Sequence, residues 1–272
     1  MGDDAAGFVG GIPDQYDRGL GPMIFSDYAA DMARRVAALP PSRVLETAAG
    51  TGIVTRLLRD ALPSRTNLTA TDLNPPMLEA ARSKFRPGER VAFQAADATA
   101  LPFADGAFGA VVCQFGVMFF PDREKSHREA RRVLAPGGRY VFSVWDAHRY
   151  NAFGRIAHEV AGRFFPVDPP QFYRVPFGCH QIDPTKQALL DAGFAELKVE
   201  VLRLDKTIPD AAAFGRALVY GNPLVDQIRK RGGVDPDQVV AAVTAALRQE
   251  FGDDPGRMSL QAIVFEARAP AV

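Results

Sequence analysis

Short apolar runs alternate along this chain with segments whose apolar residues recur at helical spacing. Runs of that kind, bounded by turn residues, predict strands at Arg43–Glu46, Asn67–Thr71, Val91–Ala95, Ala110–Cys113, Arg139–Trp145, Leu197–Leu204 and Leu260–Ala267. Between them the spacing predicts helices over Ile53–Leu62, Pro75–Phe85, Asp122–Leu134 and Pro184–Ala192. Upstream, a loop is expected to lead into a helix capped by Ser26 or Asp27, with Tyr28, Met32, Val36 and Leu39 on one face. Pro40-Pro41 ends it. Strands alternating with helices imply an α/β fold: a parallel sheet with helices on both faces.

Two stretches interrupt the alternation. Tyr150 to Cys179 carries Phe153, Phe164, Phe165, Phe172, Tyr173 and Phe177 among several prolines, too many rings for a plain linker. The second, Pro209 to Asp254, predicts helices at Ala211–Tyr220, after Pro223 up to Gly232-Gly233, and at Pro236–Phe251 with Asp235 as N-cap. The expected organisation is one α/β domain, 1–145 with 181–208 and 258–272, and two inserted lid or accessory segments, 146–180 and 209–257.

Composition narrows the function classes. Across 272 residues, 32 Lys+Arg balance 32 Asp+Glu, which argues against a nucleic-acid binder that neutralises many phosphates. Two cysteines, Cys113 and Cys179, are too few for a disulfide framework or a four-thiolate zinc site, and no histidine has metal-ligand spacing. Met1 to Ala6 lacks the pattern of a signal peptide, and no apolar run approaches the ~20 residues that span a bilayer. The expectation is a cytoplasmic protein with no membrane segment and no metal; its oligomeric state is left open.

The chemistry concentrates at Val44-Leu45-Glu46-Thr47-Ala48-Ala49-Gly50-Thr51-Gly52, a buried strand ending in an acid, then a small-residue turn opening a helix. Such a turn lets a ligand approach the backbone, and the helix start offers free N–H donors. Asp72 ends the second strand and Asp97 follows the third, so three acids stand at successive strand ends beside the expected crevice. A dinucleotide site fits poorly. Glu46 would repel a pyrophosphate by roughly several kcal/mol, and Thr55 stands where the third fingerprint glycine belongs. A ligand with a cationic amine, a ribose diol and an adenine amino group, such as S-adenosylmethionine, suits the three acids.

These motifs resemble those of class I S-adenosylmethionine-dependent methyltransferases, of the group similar to the quinone-biosynthesis C-methyltransferases (methyltransferase type 11). The resemblance rests on Glu46 to Gly52, Thr71-Asp72-Leu73-Asn74-Pro75-Pro76-Met77-Leu78, Ala96-Asp97-Ala98, Leu101-Pro102-Phe103, Leu134-Ala135-Pro136-Gly137-Gly138 and Leu190-Asp191-Ala192-Gly193-Phe194. It covers roughly 25–201 and the last strand, without the insertions. It implies a doubly wound, Rossmann-like, mostly parallel seven-stranded sheet with an antiparallel last strand, and methyl transfer to a small, largely apolar acceptor. It also implies roles: Glu46 for the cofactor's ammonium, Ala48 and Gly50 beside its methionine part, and Asp72 for the ribose. Leu73 and Met77 would sandwich the adenine, Asp97 and Ala98 meet its amino group, and Gln114 and Phe115 face the reacting methyl. Tyr16 and Phe25 would close over the cofactor. Ala48 departs from the family's glycine, so it must carry the turn's backbone angles with a Cβ in place.

Each acid also has a structural reading: Glu46 as a strand-end cap, Asp72 as a helix N-cap, Asp97 as a turn former. Asn74-Pro75-Pro76-Met77 mimics an amino-methyltransferase motif but follows the wrong strand, and Asn74 is expected to cap a helix. His148, after the fifth strand, is a weak candidate for a general base, with a surface loop as its plainer role. His127 is expected on a solvated helix face with Arg128, Arg131 and Arg132, and Arg229-Lys230-Arg231 at a solvated helix end. The competing function is a cofactor-binding scaffold that kept the fold without catalysis; an opening beside Gln114 and Phe115 would tell the two apart.

Overall fold

A computed structural model describes residues 6–271; Met1 to Ala5, on which most of the leader argument rests, and Val272 lie outside the described residues. The sheet has seven strands: β1 (Arg43–Glu46), β2 (Asn67–Asp72), β3 (Val91–Ala95), β4 (Phe108–Gln114), β5 (Leu134–Trp145), β6 (Glu196–Ile208) and β7 (Gly256–Arg268). Their order is β3-β2-β1-β4-β5-β7-β6. The first five strands run parallel, and β7 pairs antiparallel with both β5 and β6. Strand order reverses between β1 and β4, which makes the carboxyl ends of those two strands the crevice of the fold.

Period-2 alternation explains how both faces are filled. Along β4, Ala110 and Val112 enter one core with Val44, Val141 and Val264, while Val111 and Cys113 enter the other with Leu45, Phe142 and Phe265. The first face is covered by α2 (Ser26–Ala37) and α3 (Ile53–Ala61), and the second by α5 (Arg123–Val133) and α7 (Ile182–Asp191). α4 (Pro75–Arg82) packs on β2 and β3. The remaining helices, α6 (Ala152–Phe164), α8 (Ala211–Tyr220), α9 (Leu224–Arg231) and α10 (Pro236–Phe251), contact one another in a second layer. The predicted bounds of β1, β3, α8 and α10 are met to the residue, and Asp235 accepts from Asp237 N (3.0 Å) within a capping box.

Several expectations are corrected. Helix does not begin at Ser26: α1 (Ile12–Gln15) runs through π-type turns over Tyr16–Phe25 straight into α2. Ser26 Oγ donates back to Gly21 O (2.9 Å) instead of capping, since no helix starts there. Asn74 holds the N-cap position of α4 without a side-chain capping bond, and its Nδ2 donates to Ala6 O (3.0 Å). The fifth strand begins at Leu134 and not at Arg139, so Pro136-Gly137-Gly138 forms an irregularity inside it, with Gly137 N bonded to Pro270 O (2.9 Å). His127 faces inward, 2% exposed against Tyr140 and Phe142, and burial lowers its pKa to about 4.

The π-type stretch packs onto α8 so tightly that a Cβ on Gly19 would lie 2.4 Å from Ala217 Cβ. Gly19→Leu should therefore cost about 1–3 kcal/mol and loosen the amino-terminal helix. Hydrogen exchange would show it as faster amide exchange over residues 8–25 with the central strands unchanged.

Candidate functional site

The loop after β1 is strapped from both sides. Thr47 N donates to Val112 O on β4 (2.9 Å), and Ala49 N to Thr71 O on β2 (2.9 Å). Gly50 N donates to Asp72 Oδ2 (2.8 Å), and Asn74 N to Asp72 Oδ1 (2.8 Å), so one carboxylate joins the turn to the end of β2. Ala48 adopts φ +51°, a left-handed conformation that costs a non-glycine residue about 1–3 kcal/mol. Gly52 has φ +78°, and a Cβ there would sit 2.8 Å from Ala81 Cβ, so it alone lets α3 start against α4.

In front of this turn lies a cavity of about 500 Å³. Ala48 and Gly50 form its floor, with Asp72, Leu73 and Met77 at the end of β2 and start of α4, Asp97 and Ala98 after β3, and Gln114 and Phe115 after β4. Tyr16 enters from the amino-terminal helix, and Ala6, Gly7 and Phe8 complete the rim. Leu73 is 61% exposed over the cavity while Met77 is buried. Asp97 spends Oδ1 on Thr99 N (2.7 Å) and Thr99 Oγ1 (2.9 Å), the turn-forming role expected of it, and no bond to Oδ2 is made among the described residues. Burial pushes the Asp72 carboxyl above its ordinary range, against the pull of the Asn74 and Gly50 N–H groups.

Glu46 is not part of the cavity wall. Its side chain is sealed at the end of β1, 2% exposed, with Oε2 making no hydrogen bond. Burial raises its pKa to about 8; Thr55, packed against it, opposes the rise, and Asp72 adds to it. Gln114 next to it, on β4, is tied by Nε2 to Phe25 O (3.2 Å) and leaves a buried Oε1 equally unpaired. Two buried acceptors without donors cost about 1–3 kcal/mol each; of the two residues only Gln114 borders the cavity, where a bound cation with N–H groups would relieve it.

Beside the cavity is an aromatic chamber of about 60 Å³, which shares Phe8, Tyr16, Phe115, Met118 and Phe119 with it. Phe115, at φ +52°, is held by stacking on Trp145 (centroids 4.0 Å, 9° apart). Phe25 lines this chamber and not the larger cavity; Tyr16 stacks on it at 4.8 Å. The far wall comes from the insertions: Phe153, Phe172, Tyr173, Phe177 and Asn222. Tyr173 Oη donates to Leu218 O (2.8 Å) and accepts from Asn222 Nδ2 (3.1 Å), so the polar groups there are paired. The amino-terminal cover is pinned to the turn by Asp17, which accepts from Thr51 Oγ1 (2.6 Å) and pairs with Lys84.

Residues 45–142 match the methyltransferase-domain family. The chain is similar to a demethylmenaquinone methyltransferase of Thermus thermophilus, 42% identical over 139 residues, 51% of this chain and 61% of that protein. It is also similar to the ubiquinone/menaquinone biosynthesis C-methyltransferase UbiE of Geotalea daltonii, 30% identical over 137 residues, 49% of this chain and 58% of that one. The chain thus spans about three-fifths of the length of these two relatives. In fold it is similar to the YcgJ protein of Bacillus subtilis, with a TM-score of 0.60 at 20% identity over 90% of this chain and 99% of that one. A phosphoethanolamine N-methyltransferase of Haemonchus contortus gives 0.60 at 17% identity, over 95% and 57%.

The structure gathers the sequence-predicted binding residues into one cavity except Glu46, which sits behind the turn, and Phe25, which lines the neighbouring chamber, and it leaves out His148. His148 lines a separate hollow with its Nε2 on Tyr173 O (3.1 Å), held there because Phe177 stands between it and the chamber. Phe8, Asp17 and Asn222 carried no periodic or motif signal. Asn222, in a Gly-Asn-Pro turn, is legible only as a turn former although it is buried.

Folded protein holds the Glu46 proton up to about pH 8, whereas the unfolded chain releases it near the ordinary glutamate value of ~4.3. Unfolding thus releases that proton across this window, and the Glu46 contribution to stability falls as pH rises through it. Glu46→Gln should stabilise the ligand-free protein, by a margin that widens between about pH 5 and pH 8. Thermal melts across that range would check it, and a constant margin would contradict it.

Proposed function

We propose that this protein is an S-adenosylmethionine-dependent methyltransferase acting on a small, largely apolar acceptor. The observation that carries the reading is the shared wall between a cavity bearing strand-end carboxylates and a chamber lined by aromatic rings. The donor set fits the cofactor: Asp72 retains lone pairs for the ribose hydroxyls, and Asp97 has an open oxygen for the adenine amino group beside Ala98. Leu73 and Met77 form the two faces of a slot for a flat ring. The unpaired oxygen of Gln114, in the cavity wall, would receive the ammonium, with Ala48 and Gly50 flanking the methionine part and Glu46 acting through its charge from behind the turn. S-adenosylmethionine supplies a methyl group already activated by its sulfonium.

The chain's own task is then alignment and exclusion of water. Tyr16 and Phe8 cover both spaces, and Phe115, fixed on Trp145, stands between them. The inserted segments 146–180 and 209–257 serve as the roof of the acceptor space. The chamber's aromatic lining suits an apolar acceptor, although its volume of about 60 Å³ admits a planar ring only once its covers part; the similar proteins named for demethylmenaquinone and for ubiquinone/menaquinone biosynthesis support an acceptor of the quinone class. The same reading has the enzyme work in the cytoplasm on a small molecule and not on nucleic acid, in keeping with its zero net formal charge. A non-catalytic scaffold would have no need of the chamber.

Isothermal titration with S-adenosylmethionine tests the site. Binding is expected for the wild type, and Asp72→Ala should weaken it about 100-fold, since it removes a charged acceptor and frees the Gly50 N–H. No heat, or equal affinity in the variant, would overturn the reading. At pH 7, below the raised pKa of Glu46, binding should also release a proton, because an ammonium favours the carboxylate. Titrations in buffers of different ionisation enthalpy would show this release, which should vanish in Glu46→Gln.

A further inference from the structure

A second hollow, of about 450 Å³, lies across Phe177 from the aromatic chamber and is lined by Ala147, His148, Arg149, Arg174, Phe177 and His180. Its polar lining is entirely basic. Arg174 is exposed and makes no ion pair among the described residues. Arg149 is also without a salt bridge; its guanidinium rests over the Tyr150 ring at 4.7 Å. His158 stands behind His148, ring centroids 5.9 Å apart. The carboxylates nearby are already engaged: Glu159 with Arg155 (3.2 Å), and Asp146 with Ala147 N (2.6 Å) and Gln261 Nε2 (2.8 Å).

The tautomers sharpen the picture. A carbonyl only accepts, so His148 Nε2 and His180 Nδ1 carry their protons toward Tyr173 O (3.1 Å) and Phe177 O (2.9 Å). Each ring then has its second nitrogen as a lone pair. Protonation of His148 turns that nitrogen into a donor as well, and an anion in the hollow supplies the reason to protonate it.

We propose that this hollow is an oxyanion site, taking a phosphate or carboxylate group between Arg149 and Arg174 with His148 and His180 as coupled donors. Two planar guanidiniums with imidazole donors match the geometry of such groups. The oxyanion is either a free small ion or the acidic end of a larger ligand whose apolar body reaches past Phe177. The site does not rest on the methyltransferase reading, since it needs neither cofactor nor acceptor.

Binding of the oxyanion takes up protons, and it strengthens as pH falls. Burial holds the His148 pKa down, with His158 and Arg155 acting in the same sense and the Tyr173 carbonyl and Glu159 opposing. An anion between the two arginines reverses that balance.

The test is a titration of the full chain with inorganic phosphate, with 3-phenylpropanoate and with its uncharged amide at about pH 6.5, following the histidine ring signals by NMR. Phosphate is expected to shift His148 and His180, with proton uptake, and Arg149→Ala/Arg174→Ala should weaken it about tenfold or more. Both arginines are exposed, so the variant keeps the fold, which its melting curve would verify. Equal affinity for phosphate and 3-phenylpropanoate identifies a free ion; markedly tighter 3-phenylpropanoate, also perturbing Phe177, identifies the acidic end of a larger ligand. Absence of shifts with both anions, equal binding of the amide, or a double variant that titrates like the wild type would overturn the proposal.

Discussion

The carboxylate of Asp72 is the tie on which the candidate site depends. One oxygen holds the turn after β1 through Gly50 N, the other holds the start of α4 through Asn74 N. Two loops that are 22 residues apart in sequence are thereby locked at the same edge of the sheet. The tie works because β1 and β2 are parallel neighbours, Glu46 opposite Ala70, so their carboxyl ends arrive together. A charge-assisted bond to a backbone N–H in a largely buried setting is among the stronger ones available. It holds the backbone of Ala48 in the left-handed region despite its Cβ.

Around that tie the protein accepts local costs. Ala48 and Phe115 both take positive φ, Glu46 is buried with an unpaired oxygen, and Gln114 leaves an acceptor open. They cluster at the carboxyl ends of β1 and β4 and in the residues just beyond, where the sheet order reverses. Strain and unsatisfied polarity concentrated at one crevice are the physical mark of a site shaped for a ligand. The rest of the chain meets its needs in ordinary ways. Arg35, for example, is 7% exposed but bonded to Asp31 (2.5 Å), Glu200 (3.1 Å) and Glu266 (2.7 Å), which pins α2 to the outer strands.

The aromatic layer extends this logic away from the cofactor cavity. Trp145 at the end of β5 stacks on Phe115 and meets Phe25, Tyr28, Phe153 and Phe177, which come from the amino-terminal helix and the first insertion. One ring thus joins the sheet to both covers. Phe177 also divides the chamber from the basic hollow, and His148 packs on its other face at 4.4 Å.

What the sequence determined by itself was local: the short apolar runs that became β1 and β3, the Asp235-Pro236 start of α10, and the turn chemistry that set three acids at strand ends. Those features depend on residues within a few positions of one another, so periodicity and caps reveal them. The tertiary structure decided what depends on distant partners. It turned His127 inward, because α5 presents that side to Tyr140 and Phe142. It ran helix through Ser26, because the π-type turns gain their packing from α8, about 200 residues away, and not from their own sequence. It also set Glu46 behind the turn and His148 beyond Phe177, since which side of a wall a side chain occupies is fixed only when the wall's residues, drawn from separate parts of the chain, have come together.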